Sequence, residues 1–207
     1  MAPLDEASLA QGVAWLCRAE PAFQAIHDAV GPIRQRVRDP GFPGLLGIIT
    51  GQQVSVASAA AVWDRLERAG LTQANVVANS PAEALQACGL TRQKAGYAGA
   101  IARAGVDFEA LAALSDDAAR AALVALPGIG VWSAEIYLMF ALRRRDVFAA
   151  GDLALKEAAR DLFGLDTRPT EPDLREMAQA WAPWRTVAAT MLWQYYGAGG
   201  RRTEVDR

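Results

Sequence analysis

The chain has 207 residues, 52% of them hydrophobic, and a formal charge of −2 from 21 basic and 23 acidic side chains. That length can bury a core as one domain or as two small lobes, and no apolar run is long enough to span a bilayer. A single histidine excludes a histidine-based metal centre, and the two cysteines, Cys17 and Cys88, lack metal-ligand spacing and suit a reducing compartment.

The pattern is helical almost throughout, with no alternating strand. Leu4 to Ala19 reads as a first amphipathic helix, and Pro21 opens a second that runs to Val30. Gly31-Pro32 and the run Asp39-Pro40-Gly41-Phe42-Pro43-Gly44 break the pattern, the latter marking a boundary before a central lobe. Leu45 to Ile49 is apolar, Thr50-Gly51-Gln52-Gln53 interrupts it, and Val54 to Ala69 reads as a long helix. Ser80-Pro81-Ala82-Glu83 sets an N-cap, an N1 proline and a box-closing glutamate before a short helix over 81–87. Further helices are expected over 92–104, from the Ser115 cap to Ala125, over 132–142, from Gly151-Asp152 to Phe163, from the Thr170 cap to Ala182, and from Pro183 to Tyr196. No export signal precedes them, and a Gly- and Arg-rich tail over 198–207 is expected to be disordered.

One stretch organises the rest, Leu126-Pro127-Gly128-Ile129-Gly130-Val131-Trp132-Ser133-Ala134. Pro127 fixes φ near about −65°, and glycines take left-handed dihedrals at little steric cost. Gly130 stands where a hairpin becomes a helix. Such a terminus directs free N–H groups outward, and glycine removes the side chain that would hold a phosphate away. Asp152, twenty residues after Trp132, opens the next helix and reads as its N-cap as well as a candidate reacting carboxylate.

Leu126 to Ala134 resembles the hairpin of the helix–hairpin–helix DNA glycosylase superfamily. Three more stretches resemble its bacterial 3-methyladenine DNA glycosylase II branch. They are Ile48-Ile49-Thr50-Gly51-Gln52-Gln53-Val54-Ser55, Asp146-Val147-Phe148 through Gly151-Asp152 to Lys156, and Trp181-Ala182-Pro183-Trp184-Arg185 through Trp193. The resemblance implies an all-α, two-lobed fold of about ten helices, with a central lobe over about 41–147 and a second lobe from 1–40 with 148–197. No N-terminal α/β domain and no iron–sulfur cluster are expected.

The resemblance also implies a monofunctional enzyme of base excision repair that acts on double-stranded DNA containing damaged bases. It would excise alkylated purines such as 3-methyladenine and 7-methylguanine. Asp152 would stabilise the oxocarbenium character of the sugar as the base departs. Lys156 is expected as its i,i+4 salt-bridge partner. Where strand-cutting relatives carry a nucleophilic lysine this chain has Trp132, which implies no AP-lyase step. Trp132 and Trp193 are candidate walls of a base pocket, where a cationic purine would gain a cation–π term, although core packing accounts for many such tryptophans. The family's pocket tyrosine aligns with Ile136, leaving Tyr137 as a weaker aromatic candidate.

Gln53 aligns with the wedge that plugs the gap left by an extruded base, with Gln52 beside it; a capping role for these glutamines remains open. Gly128 and Gly130 would bind a phosphate through their N–H groups, helped by the Ser133 hydroxyl. The backbone carbonyls of Val124, Leu126 and Ile129 would hold a structural Na or K ion. No cofactor is expected for the reaction itself. The near-balanced charge argues against a nucleic-acid partner when taken alone. The argument weakens where backbone amides and a helix end make the contact, and local basic clusters remain at Arg143-Arg144-Arg145 and Arg201-Arg202. A monomer without membrane attachment, cytoplasmic and nucleoid-associated, is the expected state. Three other readings stay open: a glycosylase of the same fold for oxidised or mismatched bases, a hairpin module that binds DNA without reacting with it, and a helical protein-interaction domain with no DNA role.

Overall fold

The computed structural model describes residues 3–199, so the Arg201-Arg202 pair and the expected tail beyond Gly199 lie outside the described residues. Those residues contain thirteen α-helices, one 3₁₀ segment and no strand. They fall into two compact units, one of Arg38–Leu142 and one joining the residues up to Val37 with those from Arg143 onward.

In the discontinuous unit, α1 (Glu6–Ala19) begins where Asp5 and Ser8 exchange side-chain and backbone hydrogen bonds in a capping box. Pro21 then starts α2 (Pro21–Val30), as expected. These pack with α11 (Leu153–Phe163), α12 (Glu171–Met177) and α13 (Arg185–Gly197). Helix α13 is the core of the unit: every residue from Thr186 to Trp193 is buried, so it carries no polar face. Gly12 lets α1 approach it closely, since a Cβ there would lie 2.8 Å from side-chain atoms of both Trp184 and Val187. Trp181, in the 3₁₀ segment Ala178–Trp181, is met by Phe23, Phe148 and Phe163 at centroid distances of 5.3, 5.4 and 6.0 Å. Ala198 and Gly199, expected as the start of the disordered tail, are tied to the last turn of α13 by N–H bonds to Gln194 O and Tyr196 O.

The continuous unit holds α3 (Phe42–Gly51), α4 (Val56–Arg68), α5 (Ala74–Ala78), α6 (Ala82–Ala87), α7 (Arg92–Arg103), α8 (Phe108–Ala113), α9 (Asp116–Val124) and α10 (Val131–Phe140). Helices α5 and α8, of 5 and 6 residues, are the additions to the expected set; neither is long enough to display a period. Helix α10 is buried from Ser133 to Phe140 without a break, Glu135 included, rather than on one face only. It packs on α3 and α9, and α3 packs on α7.

The unit boundaries differ from the expected ones, because the loop 143–147 stays with α13. The Thr186 hydroxyl lies 2.6 Å from Arg144 O and 2.9 Å from Val147 O, and accepts the Val147 N–H at 3.2 Å. Arg185 adds a bidentate pair to Asp146, each bond 2.8 Å.

Candidate active site

Asp152 sits at the end of that anchored loop. Its backbone N–H donates to Ala149 O at 2.9 Å, and its carboxylate caps α11, with Oδ1 accepting the Leu155 N–H at 3.1 Å. The same Oδ1 accepts the indole Nε1–H of Trp193 at 3.0 Å. Two donors from different helices therefore fix one oxygen of a partly exposed carboxylate, and a side chain held this way cannot swing through its rotamers. Lys156 reaches Asp152 only through its backbone N–H, at 3.1 Å from the Asp152 carbonyl; its ammonium makes no ion pair among the described residues.

Trp193 is placed differently from a pocket wall. It is 7% exposed, its edge is engaged by Asp152, and the Arg36 guanidinium lies over its ring at 5.6 Å from the centroid. Arg36 belongs to a segment without regular secondary structure that α13 holds down: Gln194 Oε1 accepts the Arg34 N–H at 2.7 Å, while Gln194 Nε2 donates to Pro32 O at 3.4 Å. The only trace of Arg36 in the sequence is the alternation Arg34-Gln35-Arg36-Val37-Arg38, which an extended chain would turn into a row. The Arg143-Arg144-Arg145 cluster is not a presented basic patch: Arg144 is 7% exposed and Arg145 lies over Trp184 at 5.3 Å.

In the continuous unit the hairpin runs from α9 to α10. The Ile129 N–H donates to Leu126 O at 3.2 Å, closing the turn around Gly128, whose φ is +76°. A Cβ on Gly128 would drive into the Tyr97 ring, so both dihedral and space require glycine. Gly130 caps α10 without a side-chain hydrogen bond and is exposed, with no atom within 4 Å of a would-be Cβ. Trp132 is half-buried in the first turn of α10. Ile136 is 6% exposed, and Tyr137 is fully buried, its hydroxyl accepting the Gly41 N–H at 2.8 Å and its pKa pushed up by burial to about 12. Tyr137 is thus a core anchor and cannot line a base pocket.

The two glutamines separate. Gln52 turns inward, and its Nε2 donates to Gly128 O at 3.0 Å and to Ser133 Oγ at 2.9 Å. It is a strut between the α3 turn and the hairpin, not a wedge. Ser133 is correspondingly 3% exposed, its hydroxyl engaged by Gln52 rather than turned to solvent where a phosphate would lie. Gln53 is exposed and takes a left-handed backbone, φ +56°, which costs a non-glycine residue about 1–2 kcal/mol. Lys94, in the first turn of α7, supports this turn from below: its Nζ donates to Thr50 O at 3.0 Å and Gln52 O at 2.6 Å. A lysine three residues past a Thr91 cap opposes the helix dipole, and that misplacement was its one signal in the sequence.

Among the described residues no three His, Cys, Asp or Glu side chains gather to hold a metal. No helix among them is long and apolar enough to cross a membrane.

Residues 46–184 match the family described as HhH-GPD superfamily base excision DNA repair protein. A DNA-3-methyladenine glycosylase 1 from Schizosaccharomyces pombe is 27% identical over 172 residues, 79% of this chain and 75% of that protein. The structure of a Schizosaccharomyces pombe 3-methyladenine DNA glycosylase in complex with abasic DNA superposes with a TM-score of 0.83 at 25% identity, covering 90% of this chain and 97% of the other. A DNA-3-methyladenine glycosidase from Bacillus halodurans gives 0.76 at 27% identity, over 95% and 93% of the two chains. The glycine hairpin, the anchored aspartate at a helix start and a match over most of the chain agree: this protein belongs to the HhH-GPD superfamily of base excision DNA repair proteins.

Proposed function

We propose that the chain is a monofunctional DNA glycosylase that extrudes alkylated purines from duplex DNA and hydrolyses the N-glycosidic bond. The observation that carries the reading is the Asp152 carboxylate, held on one oxygen by Leu155 N–H and Trp193 Nε1–H at a helix N-terminus. As the C1′–N bond breaks, its electron pair leaves with the base and positive charge builds on the sugar. A fixed carboxylate stabilises that charge and orients a water. The water oxygen bonds to C1′ and passes one proton to the Asp152 carboxylate, which returns it to solvent, leaving an abasic site. A purine made cationic by alkylation leaves neutral, so no strong general acid is required. With Trp132 in place of an amine, no Schiff base forms at that position and the strand is left uncut.

The hairpin supplies the grip. The Gly128 and Gly130 N–H groups would hold a phosphate, and the carbonyls of Val124, Leu126 and Ile129 have the oxygen chemistry that suits Na or K. Leu126 O already accepts the Ile129 N–H at 3.2 Å, which leaves it one lone pair for an ion. Gln53, exposed on its left-handed backbone, is the residue suited to plug the gap. The similarity to 3-methyladenine glycosylases supports the choice of substrate class.

Asp152→Asn tests the reaction. The variant is expected to lose base release from 7-methylguanine DNA at least about a hundredfold, the scale of a lost electrostatic stabiliser, while binding duplex DNA with an abasic analogue as before. Release at the parent rate would remove Asp152 from the mechanism, and only a parent that releases no base would favour a hairpin module that only binds.

One observation favours a second reading within the same chemistry. The Arg36 guanidinium occupies the Trp193 face and the indole is 7% exposed, so Trp193 offers no open face on which a cationic base would gain a cation–π term. That would favour neutral lesions, oxidised or mismatched bases among them, and the relative release of 7-methylguanine and 8-oxoguanine decides between the two.

A further inference from the structure

We propose that Lys94 is a positioning residue for base extrusion: it locks the turn that presents Gln53. The proposal rests on the reading of Gln53 as the residue that fills the vacated stack.

Helix α3 ends at Gly51, and the carbonyls of its final turn have no partner within the helix. Lys94 supplies one from outside, donating to Thr50 O and Gln52 O at 3.0 and 2.6 Å. Its own location is unfavourable twice over. It stands in the first turn of α7, where the helix dipole repels a cation, and burial lowers its pKa. The carbonyl ends of α3 offset both effects, so the ammonium is held where it is by α3 rather than by its own helix.

Gln52 is thereby gripped at both ends. Lys94 holds its carbonyl, and Gly128 O and Ser133 Oγ hold its side-chain amide. The next residue, Gln53, has φ +56°, the only positive φ outside glycine in its unit among the described residues. A conformation that disfavoured persists only where the surroundings over-determine it. The two-ended clamp on Gln52 provides that constraint, and it joins the turn and the hairpin into one rigid body within the unit. A plug so held can enter a base stack without first becoming ordered.

The test uses Lys94→Met, with Lys94→Gln where methionine does not fold, Lys94→Arg as the conservative replacement and Gln53→Ala as the comparison. Single-turnover release of 7-methylguanine is measured from duplex and from single-stranded oligonucleotides of the same sequence. Extrusion is needed only in the duplex. Expected is at least a tenfold fall on duplex DNA for Lys94→Met and for Gln53→Ala, less than twofold on the single strand, and partial recovery with Lys94→Arg.

Binding of Lys94→Met to undamaged duplex should keep the parent's salt slope; a slope shallower by about one would make Lys94 a phosphate contact instead and overturn the proposal. An equal fall on both substrates, or none, also overturns it. If Gln53→Ala spares duplex release, the wedge reading fails and takes this proposal with it. If the parent releases no base from either substrate, the glycosylase reading itself is at fault.

Discussion

At Asp152 a single carboxylate oxygen ends a helix and takes the indole hydrogen of Trp193. The cap would be made by any aspartate at that position; the indole bond is what chooses the orientation of the other oxygen. Trp193→Phe keeps an aromatic, though smaller, side chain and removes the donor, at the cost of one hydrogen bond to a charged group, about 1.5–3 kcal/mol. Single-turnover base release should fall by roughly ten- to a hundredfold, with DNA affinity little changed. A rate within twofold of the parent would show that the carboxylate is aimed without the indole bond. Asp152 was legible in the sequence because a helix start leaves a local signature. The donor from residue 193 was not, because 41 residues of chain separate two side chains that only packing brings together.

The hairpin is the element where local code and tertiary packing both act. Pro127 and the glycines announce a turn, and Gly128 does adopt φ +76°. What local code omits is Tyr97, whose ring lies where a Cβ at 128 would go. Gly128→Ala therefore meets backbone strain and a steric clash together, and should destabilise by about 2–6 kcal/mol, from 1–3 for each effect. Thermal unfolding measures this; a loss below 1 kcal/mol would mean that α7 yields. Gly130→Ala, with open space around the would-be Cβ, is the natural control. The same distinction separates the two glutamines. Adjacent and identical in type, they take opposite roles because Gln52 lies within reach of Gly128 and Ser133, while Gln53 is turned outward.

At the scale of the molecule, each unit is built around one helix buried on all sides, α10 in one and α13 in the other. Tyr137 shows how such a helix organises its unit. Its hydroxyl reaches the Gly41 N–H ahead of α3, and burial raises its pKa from 10.0 to about 12. Between those values the unfolded chain has lost the phenolic proton and the folded chain keeps it. The unfolded state binds fewer protons, so stability falls as pH rises through this window and levels off above it. At pH 11 the fall from this group is about 1 kcal/mol. Urea unfolding at pH 9 and pH 11 measures it, and Tyr137→Phe should remove that share; an unchanged fall would assign it to other groups. The charge of −2 is a sum over the whole chain, and under the proposed function the hairpin would meet a phosphate through backbone N–H groups that such a sum does not count.

By itself the sequence determined the all-helical class, most helix starts, the hairpin, and the position of the aspartate. These depend on residues within one or two turns of each other, where caps, prolines and glycines act directly on the backbone. Tertiary structure alone decided which polar groups meet: Trp193 with Asp152, Arg36 on Trp193, Gln52 with the hairpin, Lys94 with the end of α3. It also withdrew Tyr137 and Ser133 into the core, since a helix buried on all sides has no apolar stripe to announce it. Hydrogen bonds across tens of residues follow from packing, which no window of sequence contains.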